Sequence, residues 1–229
     1  MSGPPGLLLT FYGDDFTGST DAMEALTLAG LRTVLFFSPP APELLESRFA
    51  DLSCMGVAGT SRGMSPAEMD RELEPILRAL WRAGAPLLQY KVCSTFDSAP
   101  EVGSIGHVID MARRSLAGSD PISVLAGVPP LRRYTIFGHH FAAAGDQVYR
   151  LDRHPTMASH PVTPMVEADL QVHLSSQTGA RIALMSLIDL EGDHAQVDAR
   201  HIERLRDRPD LVLYDVLNDN HSSLRVGRS

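Results

Sequence analysis

Adjacent carboxylates in a turn of small residues are the first groups in this chain equipped for chemistry. Asp14 and Asp15 stand in Tyr12-Gly13-Asp14-Asp15-Phe16-Thr17-Gly18-Ser19-Thr20-Asp21, directly after the apolar run Leu7-Leu8-Leu9-Thr10-Phe11. An apolar strand, a tight turn and a helical segment place turn residues at the carboxyl edge of a parallel sheet, where α/β proteins bind small ligands. Carboxylates beside glycines and hydroxyls suit a polar, hydroxyl-rich molecule. The same residues also suit a plain helix cap, since carboxylates accept hydrogen bonds from the free N–H groups of a first turn.

Two more turns carry ligand-binding chemistry. Gly59-Thr60-Ser61-Arg62-Gly63 follows an apolar run over 54–58. Its arginine is shaped for a bidentate grip on a planar carboxylate, or is a solvated surface group. Tyr90-Lys91-Val92-Cys93-Ser94-Thr95-Phe96-Asp97-Ser98 follows a run over 87–92. There Lys91, Ser94 and Thr95 suit an anionic or polyhydroxy ligand, or a solvent-facing lysine beside turn formers. All three turns follow expected strands, which would bring Asp14, Asp15, Arg62, Lys91, Ser94 and Thr95 to one edge of a sheet.

The elements that must position them read as short Val-, Ile- and Leu-rich strands alternating with helices. Strands are expected over 7–12, 33–37, 54–58, 87–92, 123–126, 134–137, 182–187 and 211–216, and helices over 21–29, 66–83, 105–115, 167–176 and 198–206. This alternation predicts an α/β fold: one mostly parallel sheet flanked by helices, three-layered and Rossmann-like. Ser65, Pro66 and Glu68 predict a capping box at one helix start, and Thr163-Pro164 a cap before 167–176. The Pro-, Gly- and His-rich stretch 127–164 reads as a long excursion holding one or two short strands.

Composition narrows the function. The 229 residues are 44% hydrophobic, ample for a core. A formal charge of -8, from 20 basic and 28 acidic side chains, argues against a nucleic-acid surface but leaves room for a local basic pocket. There is no apolar run of about 18 residues to span a membrane. Met1-Ser2-Gly3-Pro4-Pro5-Gly6 has no basic region, so it does not read as a signal peptide. Cys54 and Cys93 fit a reducing cytoplasm. The histidines, among them His139-His140, His154 and His160, lack a compact ligand spacing, so no metal is expected. Neither a GxGxxG nor a GxxxxGK[ST] phosphate loop is present, nor a GxSxG elbow. An aspartyl phosphatase would need Asp-x-Asp where this chain has Asp14-Asp15.

Taken together, the motifs resemble a known family. Asp14-Asp15-Phe16-Thr17-Gly18-Ser19-Thr20-Asp21 resembles the opening signature of the four-carbon acid sugar kinases. Lys91-Val92-Cys93-Ser94-Thr95 is similar to that family's Lys-x-Asp-Ser-Thr motif. Ser159-His160-Pro161-Val162-Thr163-Pro164-Met165 with Glu167-Ala168-Asp169-Leu170 is similar to its His-Asp-Pro-Val-Thr-Pro-Met and Glu-Ser-Asp-Leu stretch, and Tyr214-Asp215-Val216 falls where it has a late strand. The resemblance runs from about residue 8 to about residue 224.

It implies catalytic roles for Asp14 and Asp15, and substrate-binding roles for Thr17, Arg62, Lys91, Ser94, Thr95 and His160. It also implies ATP and Mg²⁺ as cofactors, a small-molecule sugar acid as partner, and a cytoplasmic location, with no nucleic acid or membrane and a homodimer left open. Residues 1–229 would be the sugar-acid-binding N-terminal domain of a two-domain kinase. The C-terminal nucleotide-binding domain, which would hold most of the ATP site, would lie outside a chain that closes on Gly227-Arg228-Ser229. Cys93 replaces the family's acid and the Arg-Gly that follows it is absent, which points to a subgroup acting on a branched or oxidised acid such as 3-oxo-isoapionate. A non-catalytic sugar-acid-binding or regulatory protein is the alternative.

Overall fold

The structure, a computed structural model, describes residues 6–116, 118 and 120–222. Residues 1–5, Leu224 and the closing Gly227-Arg228-Ser229, which entered the sequence reading, lie outside that set. The chain forms two compact units: Met1–Cys93 with Glu101–Ser104 and Met111–Ala117, and Ser94–Pro100 with Ile105–Asp110 and Gly118–Ser229.

The first unit holds β1 (Leu9–Gly13), α1 (Phe16–Leu28), β2 (Thr33–Phe36), α2 (Pro42–Glu46), β3 (Cys54–Ala58), α3 (Pro66–Glu68), α4 (Glu74–Arg82) and β4 (Leu87–Lys91). Its four strands make one parallel sheet in the order β2-β3-β1-β4. β3 is buried along its whole length, as an inner parallel strand covered on both faces must be. Side-chain alternation splits the sheet into two faces. On one, the Thr10 hydroxyl donates to the Leu80 carbonyl of α4 at 3.3 Å. Phe11, Leu52, Met55, Leu73 and Leu80 are buried in this unit.

Ser65 and Glu68 form the expected capping box. Between α3 and α4 the helix widens into a π turn, Met69–Leu73. Pro75 stands two residues on, in the first turn of α4; a proline there has no N–H for the carbonyl four residues back and would crowd it in a regular helix, which a wider turn relieves. α1 begins at Phe16, five residues earlier than the sequence pattern indicated, because the Asp15 carboxylate caps it by accepting from Gly18 N.

α5 (Ile105–Ser115) is divided between the two units. The second unit contains β5 (Ile122–Leu125), β6 (Arg133–Ile136), β7 (His139–Ala144), β8 (Gln147–Arg150), α6 (Leu170–Ser175), β9 (Ile182–Met185), α7 (His194–Leu205), β10 (Leu211–Tyr214) and α8 (Asp219–Ser222). A second parallel sheet runs β5-β10-β9, and β6, β7 and β8 form a separate antiparallel sheet. The protein is thus α/β with parallel sheets flanked by helices, but its parallel strands divide between two sheets where the sequence pattern put them in one. The excursion over 127–164 contains this antiparallel sheet.

Its first hairpin turns at Phe137 and Gly138, both with positive φ (50° and 77°), the type I′ geometry that matches strand twist. Asp215, fully buried just after β10, accepts from Phe137 N (2.6 Å), Gly138 N (2.9 Å) and Leu187 N (3.0 Å). Burial raises this carboxyl against the pull of those three donors. α6 and α7 are capped by Asp169 and by an Asp193–Gln196 box, so Thr163-Pro164 is not the cap before α6 and α7 starts before 198.

His140 is fully buried in β7. Its Nε2 donates to the Ser94 carbonyl at 2.9 Å, which leaves Nδ1 to accept from the Thr135 hydroxyl at 3.0 Å. Burial, aided by the Arg133 charge, lowers its pKa to about 4, so the ring is neutral at pH 7.

Two outcomes follow from the packing. Leu80→Ala, which empties a fully buried site, lowers the unfolding free energy by about 2–5 kcal/mol in a denaturant titration. For His140 the unfolded ring takes up a proton below its ordinary pKa, while the folded ring does so only near pH 4. Its contribution is therefore whole above the ordinary histidine range and is lost as the pH falls toward 4. Unfolding measured at pH 7 and at pH 4 shows a loss larger by roughly 3 kcal/mol in the wild type than in His140→Gln.

Candidate functional site

The carboxyl edge of the β2-β3-β1-β4 sheet gathers Asp14, Asp15, Arg62 and Lys91. β1 is paired on both sides, with Gly13 opposite Ala58 of β3 and Lys91 of β4. The pairing continues past the strand ends, where Gly59 N donates to Gly13 O (3.0 Å), Asp14 N to Lys91 O (2.9 Å) and Arg62 N to Asp14 O (3.1 Å). Three turns distant in sequence are thereby hydrogen-bonded into one layer.

Arg62 is the hub. Its Nε and Nη2 donate to the two oxygens of Asp14, at 3.3 and 3.0 Å, and its Nη1 lies 2.9 Å from Asp15 Oδ2. Asp14 is only 4% exposed, whereas Asp15 and Arg62 are partly open to solvent. Burial raises the Asp14 carboxyl, opposed by the hydrogen bonds and charge of Arg62 and the charge of Lys91. The sequence left Arg62 either gripping a planar carboxylate or solvated at the surface; in the structure the carboxylate that its fork meets is that of Asp14.

Asp15 works in two directions. Its Oδ1 accepts from Gly18 N at 2.7 Å, and its backbone carbonyl accepts from the Ser19 hydroxyl at 2.5 Å. Lys91 Nζ donates to the Val92 carbonyl at 2.8 Å. The ammonium also crowds Gly18: a Cβ there would lie 2.9 Å from Asp15 Oδ1 and 3.1 Å from Lys91 Nζ. The bare glycine lets the carboxylate and the ammonium approach the first turn of α1 together. Thr17 is exposed in that same turn. Asp15 thus caps α1, as the plainer reading of the turn expected, while its second oxygen joins the charged cluster.

Ser94, Thr95 and His160 belong to the second unit. Ser94 lends its carbonyl to His140, and the Thr95 hydroxyl donates to Asp97 Oδ1 at 2.6 Å. His160 Nδ1 accepts from Thr163 N at 3.0 Å, closing the turn of the Ser159–Met165 motif. Neither Cys54 nor Cys93 is in a disulfide.

Residues beneath the cluster escaped the sequence reading. Tyr12 and Tyr90 are register partners on β1 and β4, and their hydroxyls reach Thr60 N and the Ser61 hydroxyl. The available signal was their equal distance from Asp14 and Val92, one strand residue short of each turn.

The family model for a sugar-binding N-terminal domain matches residues 9–226. A protein of Paraburkholderia graminis named 3-oxo-isoapionate kinase is 56% identical over 227 residues, which cover 98% of this chain and 47% of that protein. A Pseudomonas fluorescens protein named 3-oxo-tetronate kinase is 32% identical over 215 residues, covering 94% of this chain and 48% of that one. Among solved structures, a Haemophilus influenzae protein at 25% identity shares the fold with a TM-score of 0.79, over 93% of this chain and 49% of that chain. The chain spans about half the length of the curated relatives it matches. The match covers nearly all of the residues from which the motif resemblance was drawn, and the chain belongs to the sugar-binding N-terminal domain family of the four-carbon acid sugar kinases.

Proposed function

We propose that this chain is the sugar-acid-binding part of an ATP-dependent sugar-acid kinase, with a nucleotide-binding domain following it in the whole protein. The observation that carries this reading is the convergence of Asp14, Asp15, Arg62 and Lys91 on one sheet edge, in a family whose relatives are named as kinases of oxidised sugar acids. The proposed substrate is 3-oxo-isoapionate, the acid named for the 56% identical relative.

In this proposal the hydroxyl oxygen of the bound acid attacks the γ-phosphorus of ATP. The bond to the β-phosphate oxygen breaks, ADP departs, and the hydroxyl proton passes to the Asp15 carboxylate. Asp15 suits that role because it is the more exposed of the carboxylates and is fixed in place by Gly18 N. Arg62 and Lys91 supply positive charge for the acid's carboxylate and neighbouring oxygens, and Thr17 an exposed hydroxyl. Phosphoryl transfer depends mainly on positioning and electrostatics, which is what such a cluster offers.

ATP and its Mg²⁺ are proposed to be held mainly by the C-terminal domain. The donors described here do not form a metal cage: among the described residues no group of three or more His, Cys, Asp or Glu could hold a metal ion. Arg62 and Gly18 N already engage the oxygens of Asp14 and Asp15. The cytoplasm, with its ATP pool, is the proposed compartment; no helix among the described residues is long and apolar enough to cross a membrane.

Asp15→Asn in the full-length protein tests the assignment. The variant keeps the shape of the side chain, so its melting temperature stays close to that of the wild type. Its turnover of 3-oxo-isoapionate with ATP falls by about 100-fold or more, the scale of a lost general base. Wild-type turnover in this variant would remove Asp15 from the mechanism.

A further inference from the structure

We propose that Tyr12 and Tyr90 are positioning residues that act through Arg62, setting where its guanidinium meets Asp14 and Asp15. The inference rests on the kinase reading for its catalytic consequence, and on geometry alone for the positioning itself.

The tyrosines stand side by side on β1 and β4 with rings parallel, centroids 5.9 Å apart and planes 6° from each other. Packing of that kind would be met equally by phenylalanines. The hydroxyls are what distinguish the pair, since a buried phenol needs a hydrogen-bond partner. Both find partners on the same short turn: Tyr12 Oη accepts from Thr60 N at 3.3 Å, and Tyr90 Oη lies 2.9 Å from Ser61 Oγ. Ser61 is fully buried and immediately precedes Arg62. Burial raises both phenols, so they remain protonated across the working pH range.

The turn is held closely against the rings. A Cβ at residue 59 would lie 1.9 Å from Tyr12 ring and hydroxyl atoms, so only the bare backbone of Gly59 can rest there. From the other side Gly103, at φ 60°, donates to Met64 O at 2.9 Å, and a Cβ on it would lie 2.5 Å from the Arg62 carbonyl. The backbone on both sides of Arg62 is thereby confined. The side chain leaving it must reach both oxygens of one carboxylate and one oxygen of the next. A two-point fork tolerates little displacement, and a shift of about 1 Å at such a site is enough to cost rate.

Tyr90→Phe deletes one hydroxyl and keeps the ring stack; Ser61→Ala removes the same hydrogen bond from the other side and serves if the first variant folds poorly. The experiment is done on the full-length protein, with melting temperature as the check on folding. The first readout is hydrogen exchange of the Arg62 Nε–H, followed by NMR and assigned with Arg62→Lys. Exchange at least tenfold faster in Tyr90→Phe is expected, and an unchanged rate overturns the proposal.

The second readout is a double-mutant cycle on kcat/KM for the sugar acid. Tyr90→Phe should cost about tenfold in the wild-type background and nothing further in Arg62→Ala, because residues acting as one unit are not additive. Equal losses in both backgrounds would mean a structural role independent of Arg62, and would overturn the proposal. A wild-type protein that turns over no sugar acid sinks the kinase reading, while the exchange measurement still decides whether the tyrosines position Arg62.

Discussion

The ion-pair cluster of Arg62 with Asp14 and Asp15 is the constraint around which the first unit is organised. A carboxylate as buried as Asp14 would be costly alone, and a partner with excellent geometry is what makes the buried charge tolerable. The bidentate contact satisfies that requirement, but only if the β3 turn lies directly beside the β1 turn. The parallel register of β1 with β3, the hydrogen bond from Arg62 N to Asp14 O and the tyrosine floor all serve that one juxtaposition. Asp15 then serves the fold twice, since it caps α1 through one oxygen and meets Arg62 through the other.

The second unit solves a similar problem by different means. Asp215 also follows a parallel strand and is also buried, but its neutralising partners are backbone N–H groups from two separate turns. Aimed N–H dipoles can stabilise a carboxylate as a cation does. Here they also let a phenylalanine occupy a left-handed turn position that it would otherwise avoid. His140 continues the theme as a neutral ring with one donor and one acceptor, each matched.

What could be read from the sequence was what is local. The turn after Phe11, the Ser65–Glu68 capping box and the apolar strands announce themselves within a few residues. β7 did not, because His139-His140-Phe141-Ala142-Ala143-Ala144 has no β-branched residue and no clear alternation. The Asp193–Gln196 box is equally local, but the apolar spacing that marks α7 as a helix becomes clear only from about residue 198, so the pattern puts its start too late. The engagement of Arg62 by Asp14 spans 48 positions and depends on strand order, which spacing alone does not encode. The division of the parallel strands between two sheets is of the same kind, since each strand looks alike in isolation.

The unequal hold on Arg62 bears on the thermodynamics of recognition. Asp14 grips the guanidinium through two atoms in a buried setting, while Asp15 touches it through one at the solvent-facing side. An incoming acid that took the place of Asp15 on Nη1 would exchange one carboxylate for another. Such a swap conserves the number of ion pairs but not the charge of the site: Asp15 stays tethered to Gly18 N beside the newcomer, and the repulsion between the two carboxylates offsets much of the new contact. Net binding energy, and with it selectivity among acids, would then fall to the uncharged parts of the ligand.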